Sequence, residues 1–219
     1  MKMHTLLDLH GNIPTFIRIS DGKLHDVNIL DEILPEAGAI YVMDRGYIDF
    51  ERLYRLTMSA AFFVIRTKSN LLLQRRYSHP VDKSMGVRSD HTVILTAFDS
   101  AKVYPDTLRR VSYLDVETRK RFKFLTDTFA LPALTIAQIY KSRWQVELFF
   151  ENSTWCTPLD VMEVRGSIAL NRPLVGSLDD SVRPRIAQHP LCVESREHSH
   201  RPASLATVLA EFAARQWSA

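Results

Sequence analysis

Two carboxylates stand out by their setting. Asp44 closes the apolar run AIYVMD (39–44) and opens MDRGY. Glu147 lies in YKSRWQVELFF (140–150), among apolar neighbours, with Tyr140 and Arg143 ahead of it. Open α/β sheets bind ligands beyond the C-terminal ends of their strands, so Asp44 is placed for chemistry. A strand-end Asp-x-Gly turn is also common with no function at all. Ile136, Tyr140, Arg143 and Glu147 are spaced 4, 3 and 4 residues apart and so share one helix face. That face can equally be a solvated one, on which an Arg143–Glu147 ion pair contributes roughly 0.3–0.5 kcal/mol.

The elements that must position these residues are legible from periodicity. HTLLDL (4–9) and IPTFIRIS (13–20) read as strands around a Gly11–Asn12 turn, a hairpin. His25 to Leu34 reads as a short helix stopped by Pro35. AIYVMD and AFFVIRTKS (61–69) are nearly continuous apolar runs, the pattern of strands buried on both faces. Between them Asp49 can cap a helix over FERLYRLTMSA, where Phe50, Leu53, Tyr54, Leu56 and Thr57 recur at helical spacing. From about Leu71 to Phe129 the texture changes to short alternating strands, including HTVILTAF (91–98) and a hairpin of VSYLD with RFKFLTD. In RFKF, alternation sets Phe122 and Phe124 on one face and Arg121 and Lys123 on the other. Thr135 can cap a final helix, IAQIYKSRWQVELFF. The order is that of an α/β layered core carrying a β-rich insertion.

Composition narrows the class. Of 219 residues, 46% are apolar and 24% charged, as in ordinary globular proteins. There is no run of 18 apolar residues, and the stretch MKMHTLLDLHGN, its apolar patch broken by Asp8 and His10, does not read as a signal peptide. Cys156 and Cys192 form no framework, which fits a reducing, cytoplasmic setting. The net charge of +3 is a weak pointer to a polyanionic partner. It is unevenly spread: residues 1–150 hold 21 Lys or Arg against 17 Asp or Glu, and residues 151–219 hold 7 against 8. The latter contain no lysine and five of the ten prolines. They read as a largely irregular tail with one helix over 204–217. His189, Cys192, His198 and His200 have no standard zinc spacing.

MDRGY, followed by Tyr140, Arg143 and Glu147 at Y-x2-R-x3-E, resembles the DDE transposases of bacterial insertion sequences, in the subgroup with a Tyr-Arg-Glu-Lys signature. HTLLDLHGNIPTF, SDGKLHDVNIL, YVMDRGYIDF and RYSHPVD carry the same resemblance, which covers about residues 2–151. It implies a partial ribonuclease-H-like core over 1–150, with a β-rich insertion at about 71–130, and a divergent tail over 151–219. It implies Asp44 and Glu147 as catalytic ligands of Mg²⁺, which promotes in-line attack on a DNA phosphodiester. Tyr140 and Arg143 would hold phosphate or a strand end, and Arg121 and Lys123 would contact the DNA backbone. The implied partners are transposon-end DNA and a second copy or a full-length transposase, with no membrane.

Two members of the family pattern have no match. The first Asp would precede the segment matching HTLLDL, and the signature Lys would stand at position 154, where this chain has Thr154. Asp8 and Asp21 read as hairpin and turn residues. The expectation is therefore a truncated element that neither cleaves nor joins DNA by itself. The alternatives are a DNA-binding or interfering fragment, a ribonuclease-H-like nuclease with a locally recruited third carboxylate, and a poorly folded remnant.

Overall fold

The computed structural model describes residues 2–9, 13–67, 70–144 and 163–171. β1 (Lys2–Asp8) and β2 (Ile13–Ser20) pair antiparallel as expected from their sequences. The helix expected over 25–34 is a shorter 3-10 helix, Asp26–Asp31. β3 (Ile40–Met43) is buried at all four positions, and β4 (Phe62–Arg66) pairs parallel to it. Between them runs α1 (Phe50–Met58), capped as its sequence indicates: Arg52 N donates to Asp49 Oδ1 at 3.0 Å. The insertion is β5 (Leu73–His79), β6 (Val87–Leu95), the short α2 (Phe98–Val103), β7 (Leu108–Leu114) and β8 (Arg121–Thr126). β7 and β8 form the expected hairpin.

The last helix, α3, covers Ala133–Ser142. Its N-cap is Pro132, not Thr135, which lies inside the first turn. Pro132 lacks an N–H and has a preset φ, so it can stand where the first turn begins without an orphaned donor. The expected extension of this helix to Phe150, the Gly11–Asn12 turn and the expected helix over 204–217 lie outside the described residues.

The described strands form one sheet in the order β2-β1-β9-β3-β4-β8-β7-β6-β5, where β9 is Glu163–Asn171. β9 departs from the irregular texture expected after residue 151. It enters the middle of the sheet, parallel to β1 and antiparallel to β3. Its period-2 pattern is broken by Gly166, and its partners lie over 120 positions earlier in the chain. Local sequence therefore carries little trace of it.

Alternation along β3 and β4 builds a core on each face of the sheet. Tyr41, Met43, Phe63 and Ile65 join Leu108 and Leu125 under Ile29, Leu53 and Leu56. Val42 and Val64 join Leu7, Val111 and Phe124 under Ile136, Ala137, Ile139 and Tyr140 of α3. Two independent clusters hold the same strands, so the C-terminal ends of β3 and β4 are rigidly placed.

Candidate active site

Asp44 follows the last residue of β3 and is half-buried. Tyr140, in the last turns of α3, donates its hydroxyl to Asp44 Oδ1 at 3.1 Å. The Tyr140 ring packs 4.6 Å from Phe124 and 6.4 Å from Phe122. Phe122 and Phe124 stack at 6.0 Å on the side of β8 that meets α3. The Arg143 guanidinium lies 5.8 Å from the Tyr140 ring centroid, within cation–π range. Burial, and then the Asp44 charge, push the Tyr140 phenol up to about 12, against the opposing pull of Arg143. At neutral pH it is a committed hydrogen-bond donor to the carboxylate.

Two neighbours escaped the sequence reading. Arg66 ends β4 as Asp44 follows β3, and its guanidinium lies 5.3 Å from the Phe122 centroid. The signal was present: Arg66 is a charged residue closing an apolar run, as Asp44 is. Tyr47, in the same MDRGY stretch, is 3% exposed, and its hydroxyl is buried with no hydrogen-bond partner among the described residues. Burial, followed by the Asp26 charge, raises its pKa strongly; Arg143 and Asp44 act on it as well.

The structure thus brings Asp44, Tyr140 and Arg143 together. Arg121 and Lys123 are exposed on the strand that carries Phe122 and Phe124, and they alternate with those rings. Glu147 lies outside the described residues. Asp8 is no substitute carboxylate. Through β9 its level in the sheet is that of Tyr41, about 10 Å short of Asp44 along the strand direction and about 10 Å to the side. Asp21 is a turn residue, accepting from Lys23 N at 3.4 Å.

The residues matching the model of the transposase DDE domain are 1–154. The chain belongs to the DDE transposase family. Its relatives include a Sinorhizobium fredii protein named as a transposase, 36% identical over 156 residues. A Geobacillus stearothermophilus protein, named as a transposase for an insertion sequence element, is 32% identical over 154 residues. A Synechocystis protein of similar name is 28% identical over 155 residues. The matches cover 68%, 68% and 69% of this chain but only 43%, 39% and 42% of the relatives. The chain therefore spans less than half the length of these transposases.

DDE transposases generally use a divalent metal. Among the described residues no three His, Cys, Asp or Glu side chains cluster as metal ligands. Asp44 offers one hard oxygen donor, Oδ2, which has no hydrogen-bond partner among them. Mg²⁺ is usually bound through one or two carboxylates plus water and phosphate, so Asp44 fits as one ligand of such an ion and not as a centre by itself. No described helix is long and apolar enough to cross a membrane.

Proposed function

We propose that this chain is the DNA-handling part of an insertion-sequence transposase, with its reacting phosphate seated at the ends of β3 and β4. The observation that carries this is the Tyr140–Asp44 hydrogen bond, which joins two motif residues 96 positions apart. The parallel β3–β4 pair with α1 between them, and the β5–β8 insertion, support a ribonuclease-H-like core read over 1–150 and interrupted at about 71–130, to whose sheet β9 adds a strand from beyond that range.

In this reading Asp44 and Glu147 are the ligands of Mg²⁺, which when bound supplies Lewis-acid stabilisation for in-line attack on a phosphodiester. Tyr140 fixes the Asp44 carboxylate so that Oδ2 faces the ligand. Arg143 and Arg66 supply planar multi-donor cations for phosphate oxygens. The aromatic pair Phe122 and Phe124 backs Tyr140 and limits its rotation. Arg121 and Lys123 contact backbone phosphates.

The test uses the 219-residue chain with duplex DNA and with Mn²⁺ or Mg²⁺ alone. Binding should weaken with salt, as for phosphate contacts, and Arg66→Ala and Arg143→Ala should each weaken it severalfold. Mn²⁺ should raise the melting temperature of the wild type and not that of Asp44→Asn. A chain that binds no DNA at low salt and shows no metal-dependent shift would not be acting in this way.

A further inference from the structure

We propose that the outer edge of β2 pairs antiparallel with β2 of a second copy of this chain, across a twofold axis at Ile17, so that the two sheets become one. The pairing involves no DNA and lies outside the Asp44 site.

β2 and β5 end the sheet among the described residues, so neither has a strand neighbour among them on its outer side. Open edges of this kind invite pairing with another chain unless charges or a bulge blunt them. β5 is blunted in its middle: Arg75 and Arg76 are exposed, and the register with β6 breaks between Arg75 and Tyr77. β2 has no such protection from Phe16 to Ser20. Its register with β1 is unbroken there. The one charged residue in that stretch, Arg18, is already paired with Glu32 at 3.3 Å.

Ile17 and Ile19 are 56% and 54% exposed, whereas their partners on β1, Thr5 and Met3, are buried. Cross-strand partners share a sheet face. A buried face therefore runs to the margin of the sheet and ends on two uncovered β-branched side chains, a type that favours strand pairing.

Symmetry and charge select the partner strand. With the axis at Ile17, Ile17 meets its own copy and Phe16 meets Arg18, so no like charges oppose each other. An axis at Arg18 would set two guanidinium groups face to face, which is unfavourable. An axis at Phe16 would bring Pro14, which has no N–H, opposite Arg18. Pairing of β2 with β5 of another copy would set the isoleucine edge against the arginine edge. Being heterologous, it would also leave a free edge at each end and build an open chain of subunits, whereas β2 with β2 closes as a pair.

Sedimentation velocity of the 219-residue chain without DNA tests this arrangement. The wild type should be a dimer at micromolar concentration. Ile17→Lys and Ile17→Glu each place like charges on the axis and should raise the dimer dissociation constant by roughly tenfold or more. Mixing these two variants should restore the dimer, because opposite charges then face each other. In a Cys156→Ser/Cys192→Ser background, Ile17→Cys should form an interchain disulfide under mild oxidation, since directly opposed residues lie about 4.5–5.5 Å apart. Ile19→Cys, roughly 14 Å from its copy, should not. A monomeric wild type, a dimer unmoved by Ile17→Lys with native circular dichroism, or equal cross-linking at Ile17→Cys and Ile19→Cys would overturn the β2 pairing. Each of these results leaves the transposase reading intact, because that reading rests on DNA and metal binding.

Discussion

Tyr140 on α3 and Asp44 beyond β3 are joined by a 3.1 Å hydrogen bond, so the orientation of the helix and that of the carboxylate are one constraint. Tyr140→Phe keeps the ring packing and removes this bond. It should cost about 1 kcal/mol, seen as a lower urea midpoint with an unchanged m-value.

The same phenol makes stability depend on alkaline pH. It is pushed up to about 12 in the fold, whereas an unfolded tyrosine ionises near 10. Its contribution is therefore complete below about pH 10 and is lost as pH rises from about 10 towards 12. In urea titrations at stepped pH, Tyr140→Phe should lose less stability over that window than the wild type. An identical alkaline decline in both proteins would contradict the assignment.

Arg109 should be among the most sensitive positions in the insertion. It pairs with Asp90 at 2.7 Å with both side chains buried, and its Nη1 donates to Leu131 O at 2.6 Å. The bond to Leu131 holds the segment that leads into α3. Arg109→Met leaves Asp90 buried and unpaired, which typically costs about 3–5 kcal/mol. Adding Asp90→Asn should recover part of that loss, and a double-mutant cycle by chemical denaturation measures how much.

On the acid side His4 is the group to follow. It is fully buried, Nε2 is 2.8 Å from Ser20 Oγ, and Nδ1 has no hydrogen-bond partner among the described residues. Burial lowers its pKa; Lys2 and Arg18 act in the same direction, while Asp26 and Glu32 oppose it. The unfolded chain takes up this proton near pH 6.5 and the folded chain resists it. Stability from His4 is thus present above about pH 6.5 and falls as pH drops towards the folded pKa. His4→Gln should flatten the fall in melting temperature between about pH 7 and pH 5; a slope equal to that of the wild type would place the acid sensitivity elsewhere.

Gly86 precedes β6 with φ +86°, and a Cβ there would lie 2.7 Å from Leu114 O and 2.9 Å from the Tyr113 ring. Both the left-handed backbone and the contact with main-chain oxygen oppose any side chain. Gly86→Ala should cost about 1–3 kcal/mol, read by thermal unfolding.

Much of the architecture was local and therefore legible. The burial of β3 on both faces, the Asp49 cap and the β1–β2 and β7–β8 hairpins follow from periods of 2 and 3.6 and from turn or cap residues within a few positions. Asp44 was legible as a strand-end carboxylate, and Tyr140 with Arg143 as one helix face, because a helix projects residues three and four apart to the same side.

What the tertiary structure decided was non-local. That Tyr140 meets Asp44, that Arg66 joins them across parallel β3 and β4, and that β9 runs between β1 and β3 depend on pairings over tens to more than a hundred residues. Such pairings are selected by mutual burial and hydrogen bonding, which leave no periodic mark in either segment alone. The division of β8 into an aromatic side toward α3 and a cationic side away from it joins the two levels. Alternation in the sequence separated Phe122 and Phe124 from Arg121 and Lys123; only the packing of α3 on one face determined which side meets the Asp44 site.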